Sequence, residues 1–303
     1  MRSRQNLIDT KSPALRHQAV WLTAAITLLL ATGEPVRADR LPLWELAAGG
    51  VGLHVPVYRG AEESRSLVLP FVYPVYRGHI WRVDDEGARG LLFSSDRVNV
   101  ELSLDGNIPA DSDDIDRREG MPDLDPTVQL GPSLEFELWN ARSARQQVRL
   151  NLPLRAVFTV DIAGSEAIGF AASPHVRYNR SMRFLDRPWR LRLSAGLEFG
   201  TEAFHDYYYQ VDSQFDTPER AAYDAEAGYG GTRMIFTLTS RHPRGANWLS
   251  LFARHDQIDG AVFADSPLVS SSDGLTIGFV YAHLFARSKT LVDATDFTGG
   301  KQN

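Results

Sequence analysis

The residues best equipped for chemistry are two His-Asp neighbours, His205-Asp206 and His255-Asp256, together with Ser173 and Ser266. They contain the parts of a Ser-His-acid hydrolase. The pattern that would assemble them is missing. There is no Gly-x-Ser-x-Gly elbow. Adjacent residues of a strand point to opposite faces, so neither aspartate can orient its own neighbouring histidine. The sequence therefore assigns no catalytic residue. It places His255 at a strand end and His205 in a loop. A second candidate is the acidic run Asp105, Asp111, Asp113, Asp114 and Asp116, with Glu119, Asp123 and Asp125 close behind. Hard cations take oxygen ligands of this kind. The run lacks the central glycine and terminal glutamate of an EF-hand, and a solvated loop is the better reading. No metal and no cofactor is assigned. Tyr207-Tyr208-Tyr209 offers aromatic faces for stacking on sugars or partners. Packing of its loop onto a rim is the favoured alternative. Arg149, Arg155, Arg190 and Arg192 match Glu135, Glu137 and Glu198 in charge and would pair inside a polar lumen.

The elements that position these groups are strands. In Trp189–Gly200 one face holds Trp189, Leu191, Leu193, Ala195, Leu197 and Phe199, and the other Arg190, Arg192, Ser194, Gly196, Glu198 and Gly200. A helix would scatter these residues, whereas a strand sorts them completely. Val148–Val160 and Val98–Asp105 behave alike. Such runs approach the roughly 9–11 residues that a tilted strand needs to cross a bilayer. About twelve strands follow, near 44–55, 66–74, 77–84, 88–94, 97–105, 127–139, 147–160, 167–179, 188–201, 228–241, 247–258 and 274–285. Short links, including Tyr73-Pro-Val-Tyr76, alternate with long ones, and Asp85–Gly87 breaks the rule. That alternation is the mark of an up-and-down outer-membrane barrel. An even strand number puts both termini in the periplasm.

The apolar face is expected to meet lipid. Arginines and glutamates lie mid-strand on the other face, where a small filled core would not accept them unpaired. Trp44, Tyr58, Tyr76, Trp81, Trp139, Tyr178, Trp189, Tyr229, Trp248 and Tyr281 fall near strand ends, as interfacial girdles do. Pro153 and Pro174 lie inside strands, and each predicts a bulge.

Residues 1–38 are expected to be a signal peptide. Arg2, Arg4, Lys11 and Arg16 precede the apolar stretch Ala19–Ala31, and Val36-Arg-Ala38 supplies a small-x-small cleavage site. The chain holds no cysteine, which excludes disulfides, thiolate metal sites and a lipidated N-terminal cysteine. A formal net charge of -6 opposes a general nucleic-acid binder. The expected organisation is residues 1–38 as leader, 39–285 as outer-membrane β-barrel and 286–303 as a polar C-terminal tail.

Four stretches carry a family resemblance: Pro56-Val-Tyr-Arg-Gly-Ala61, Gly120–Gly131, Tyr207–Val211 with Tyr223–Gly231, and Ala264-Asp-Ser-Pro-Leu-Val269. In order and spacing the chain resembles the MltA-interacting protein / OmpV family of outer-membrane proteins, from about Leu46 to Phe285. It departs at Tyr209-Gln210, where the family commonly has glycine after paired tyrosines, and in running past the aromatic at Phe285. The resemblance implies a non-enzymatic role. Its founding member is a scaffold joining a periplasmic lytic transglycosylase to a bifunctional murein synthase. Other members are associated with osmotic adaptation, adhesion or small-solute passage. The expected function is a scaffold for murein-remodelling enzymes in the outer membrane, with outer-membrane lipid as its surroundings and no nucleic acid as partner. A narrow channel for small polar solutes is the alternative, and a lipid-modifying hydrolase comes third.

Overall fold

A computed structural model describes residues 40–78, 80–84, 87–95, 97–161, 164–241 and 245–293. The expected signal peptide and the end of the tail lie outside these residues. The strands are β1 (Arg40–Pro42), β2 (Trp44–Pro56), β3 (Ser64–Arg77), β4 (Trp81–Asp84), β5 (Gly87–Ser94), β6 (Val98–Asn107), β7 (Thr127–Ala141), β8 (Gln146–Thr159), β9 (Ala167–Ala172), β10 (His175–Phe184), β11 (Arg187–Gly200), β12 (Gly228–Arg241), β13 (Asn247–Gln257), β14 (Asp273–Arg287) and β15 (Leu291–Asp293). The helix α1 (Glu202–Tyr209) lies in the loop after β11. Apart from β9 and β10, which share the neighbours β8 and β11, strands β2 to β14 pair antiparallel with their sequence neighbours, and β14 pairs with β2, so the sheet closes on itself. No open edge is left at that seam.

β9 and β10 are one strand in two pieces. Leu154 pairs with Ala172 and Asn151 with His175, so the register on β8 runs through Ser173-Pro174 unchanged. Counted so, the barrel has 12 strands. The bulges expected at Pro153 and Pro174 are therefore not there. Pro153 keeps its carbonyl in the ladder by accepting from Ser173 N, and Pro174 accepts from Leu197 N. Each proline lacks only a donor, and the register survives that loss. The shifts of register fall elsewhere, as between Glu137 and Trp139 and between Glu198 and Phe199.

The faces sort as the alternation requires. Leu154, Leu193, Leu197, Ile277 and Phe279 are exposed on the outer face, while Glu101, Gln129, Glu135, Asn151 and Arg155 are buried on the inner one. Trp44, Tyr76, Trp81 and Trp139 are exposed near the short-turn end, where a girdle belongs. Tyr58 and Trp248 do not join it: Tyr58 is buried among the long loops, and Trp248 is buried against Ala47 and Ala282. The described chain ends also meet at the short-turn end. β1 pairs with β15, and Ser288 N donates to Trp44 O.

One link departs from expectation. Tyr73-Pro-Val-Tyr76 is not a turn; β3 runs straight through it to Arg77. The reversal comes instead around Gly78, whose N–H donates to Trp81 O. The hairpin that follows is short, since β4 pairs with β3 only at Tyr76–Val83 and Arg77–Arg82.

Candidate functional site

The largest apolar cluster among the described residues is in the long loops, not the barrel wall. Tyr58, Ile115, Tyr208, Tyr209, Ile258 and Phe263 form its centre. They come from the loops after β2, β6, β11 and β13, which fold together as a cap over the long-loop end. α1 is its keystone. The ring of Tyr209 stacks on Phe263 with centroids 3.7 Å apart, and Phe263 meets His205 edge-on at 4.8 Å. The eight-residue helix begins after Thr201 and buries His205, Tyr208 and Tyr209. Burial of these rings, not intrinsic propensity, holds so short a helix.

Hydrogen bonds stitch the four loops. Tyr209 Oη donates to Arg59 O at 2.9 Å, and Ser266 Oγ donates to Tyr209 O at 2.7 Å. Tyr58 Oη donates to Leu268 O. Arg118, 3% exposed, donates to Ser112 Oγ, Tyr208 O and Pro122 O, tying the loop after β6 to α1. Burial holds the Arg118 guanidinium below its ordinary pKa, and pushes the Tyr58 and Tyr207 phenols up to about 12. These phenols are therefore neutral at physiological pH.

Room for the cap is made by glycine at the barrel rim. A methyl on Gly200 would lie 2.4 Å from His205 Nε2 and 2.6 Å from Phe204 Cδ1. His205 Nδ1–H donates to Glu226 O at 2.7 Å, which leaves Nε2 directed at that rim.

Beneath the cap lies a cavity of about 290 Å³. Its charged side is an ion-pair network centred on Asp256. Arg254 Nε, Arg233 Nε and Arg59 Nε approach that carboxylate at 2.7, 2.8 and 3.2 Å. Arg233 also reaches Glu198 at 3.3 Å, and Arg155 reaches Asp105 at 3.6 Å. Its other side is apolar, with Leu53, Val55 and Phe252. At the short-turn end a second network joins Glu45 to Arg77 at 2.6 Å and to Arg241.

The expected lumen ion pairs are present with altered partners. Arg149 pairs with Glu135 at 2.8 Å. Arg155 finds Asp105, Ser103 Oγ and Ser173 Oγ in place of a glutamate. Glu137 accepts from Asn140 and Gln147. The residues that the alternation missed are Arg59, Arg233, Arg254 and Asp256. Arg233 and Arg254 had a legible signal, since both sit mid-strand on polar faces.

The hydrolase candidates are dispersed. His255 points outward and meets Asp273 at 3.1 Å, while Asp256 points inward to its arginines. Ser173 serves Arg155, and Ser266 and His205 are cap residues bonded to backbone. The acidic run divides: Asp105 pairs with Arg155, and Asp111 and Asp123 serve local structure. Asp111 accepts from Asp113 N and Asp123 from Ser112 N. Among the described residues no three His, Asp or Glu side chains converge as metal ligands. Tyr207–Tyr209 pack into the cap, with Tyr207 Oη accepting from Asp125 N at 2.7 Å.

The family model for the MltA-interacting protein MipA matches residues 48–285, which is most of the chain. This chain belongs to the MipA family. The match runs from β2 to the last barrel strand and takes in every loop of the cap. No curated protein matches the sequence. Similar solved structures include an outer-membrane channel from Pseudomonas putida F1, at 12% identity and TM-score 0.33, covering 84% of this chain and 100% of that one. CdiB from Acinetobacter baumannii aligns at 9% identity and TM-score 0.32, covering 83% of this chain, which spans only 61% of CdiB. The CymD monoaromatic hydrocarbon channel aligns at 9% identity and TM-score 0.34, covering 80% and 89%. Family membership and a closed barrel with an apolar outer face make the MipA-family chain an outer-membrane β-barrel.

Proposed function

We propose that this barrel is a non-enzymatic anchor that holds murein-remodelling enzymes, a lytic transglycosylase and a bifunctional murein synthase, at the periplasmic face of the outer membrane. In this reading residues 1–38 direct export and are removed. The short-turn end, where the described chain ends meet, faces the periplasm and presents the docking surface. The observation that carries the reading is the cap. Four loops close the long-loop end around a packed aromatic core, over a lumen crossed by ion pairs. A pore for free solute diffusion would keep that path open. The family's description as MltA-interacting supports a transglycosylase partner.

The test uses the mature chain, tagged and extracted with the envelope in mild detergent. Retention of a lytic transglycosylase on the column, with a silent planar bilayer, is the expected result. Steady single-channel steps without retention would replace the anchor with the narrow-channel alternative. Heat-modifiable gel migration confirms in both cases that the barrel is folded.

A further inference from the structure

The wall of this barrel has a notch. β3 pairs with β2 over its whole length, but beyond Tyr76 its other edge has no strand partner among the described residues. The direction of each backbone group follows from two hydrogen bonds. Arg77 N–H donates to Leu43 O on the β2 side, and Gly78 N–H donates to Trp81 O on the β4 side. Even-numbered residues of β3 therefore face the notch. Two of them are Pro70 and Pro74, which have no N–H to offer. This edge keeps its carbonyls but lacks the N–H of Pro70 and Pro74, and those two gaps make it a poorer template for another strand. Across the notch, β5 reaches only as far as Ser103 on β6. Arg65 spans the top by donating to Pro109 O.

The notch is rimmed with apolar side chains. Val68 is 83% and Val72 66% exposed on the outer face of β3, and Leu104 and Ile108 are exposed opposite. Such a rim belongs at the level of lipid. Unpaired carbonyls facing dry hydrocarbon would cost several kcal/mol each, which favours water or a polar ligand group at this edge. Inside, β3 breaks the polar rule of the lumen. Its inner face reads Leu67, Leu69, Phe71, Tyr73 and Val75, next to Val51, Leu53 and Val55 of β2. This apolar strip leads into the capped cavity, which both Arg65 and Ile108 line.

Arg65 is the unbalanced charge at that mouth. Arg59, Arg233 and Arg254 share Asp256, and Arg155 has Asp105, but Arg65 has no carboxylate partner among the described residues. Its buried Nε has no hydrogen-bond partner. Nor has Thr276 Oγ1, which lines the same cavity and belongs to a residue 7% exposed.

We propose that the notch between β3 and the ends of β5 and β6 is a lateral port for a single-chain amphiphile with one negative head group. The head group rests on Arg65, and the hydrocarbon chain lies along Leu67 and Leu69. Monoanion selectivity follows from the one uncompensated guanidinium, and entry from the membrane follows from the apolar rim. The port is independent of whether the barrel anchors murein enzymes.

The test uses the mature chain in phosphatidylcholine nanodiscs and two photoreactive diazirine probes with the same twelve-carbon chain. One ends in a carboxylate and the other in trimethylammonium. Labelled residues are mapped by mass spectrometry. The carboxylate is expected to label Leu53, Leu67 and Leu69 at least tenfold more than the cation does, while outer-face Phe279 takes both alike. Arg65→Gln should lower the inner-face signal at least fivefold, and Arg65→Lys should restore most of it. Labelling confined to the outer face, equal labelling by both probes, or equal loss in Arg65→Gln and Arg65→Lys overturns the port. Cross-links from β3 to a second copy of the chain would overturn it in favour of strand addition.

Discussion

From β6 round to β13 the inner wall carries Glu101, Glu135, Arg149, Arg155, Arg233 and Asp256. From β14 through β2 to β3 it carries Val280, Ala282, Val51, Leu53, Leu67 and Phe71. The first wall is laddered almost without interruption, whereas the second ends in an edge with two paired positions beyond it. The contrast teaches how each wall is held. Buried charges stay only where partners are fixed, so the charged wall needs rigid strands on both sides. An apolar wall makes no such demand and can border a gap. Asp256→Ala breaks the charged wall at its centre by leaving Arg59, Arg233 and Arg254 without their shared carboxylate. The expected loss is about 3–5 kcal/mol of unfolding free energy, read by denaturant titration in detergent micelles. Leu69→Ser on the apolar wall should lose less than about 1 kcal/mol, as a partly exposed side chain does. Equal losses would erase the distinction between the two walls.

The cap can be separated from both walls. Gly200→Ala drives a methyl into His205 and Phe204 without touching the ion pairs. Overpacking of this kind costs about 1–3 kcal/mol, and it should fall on cap closure alone. Limited proteolysis would then cut within 201–227 several times faster, with heat-modifiable migration unchanged. A shift in the migration of the whole barrel would mean that cap and wall fold as one unit.

A gentler change sharpens the view of the open edge. Replacing Pro70 and Pro74 with valine returns two N–H donors to the notch side of β3. The edge then becomes a usable template, and the double variant should gain cross-linkable dimers through β3 by about tenfold. Wild-type chain that dimerises there as readily would show that the prolines do not guard the edge.

The barrel was legible because its alternation is a physical necessity. Leu193, Leu197 and Leu154 must face lipid while Glu198 and Arg155 must not, and a period of two follows. The notch was hidden by the same logic. Proline next to tyrosine in Tyr73–Tyr76 looks like a turn, because proline is rarely free to sit in a paired strand. Only the missing partner explains it, and partners are not local properties. The cap was hidden for a different reason. Its core joins Tyr58, Ile115, Tyr209 and Phe263 from four loops far apart in the chain, and no periodicity links them. The lumen arginines were partly legible. Their inward direction follows from alternation, but their sharing of Asp256 depends on shear around the barrel.

The smallest expected effect concerns pH, and it divides cap from wall most finely. His205 is buried against Phe263. Burial holds its imidazole below the ordinary pKa, and Arg59 pushes the same way, against the hydrogen bond to Glu226 O. An opened cap binds a proton near pH 6.5, the ordinary value for histidine, while the closed cap binds it only at lower pH. The closed cap is thus fully stable above about pH 6.5 and loses stability as pH falls from there toward the folded-state pKa. Asp206 shifts in the opposite direction: burial raises its carboxyl, so its protonation favours the closed cap as pH falls and works against the His205 effect. Hydrogen exchange of residues 201–227, corrected for intrinsic rates, should therefore show several-fold more opening at pH 5.5 than at pH 7.5. Strand amides of β7 and β8 should show no matching change. In His205→Gln, which has no proton to gain, the pH dependence of the loop should disappear. Should it persist, the cap is opened by some other group, and His205 is only a filler in the aromatic core.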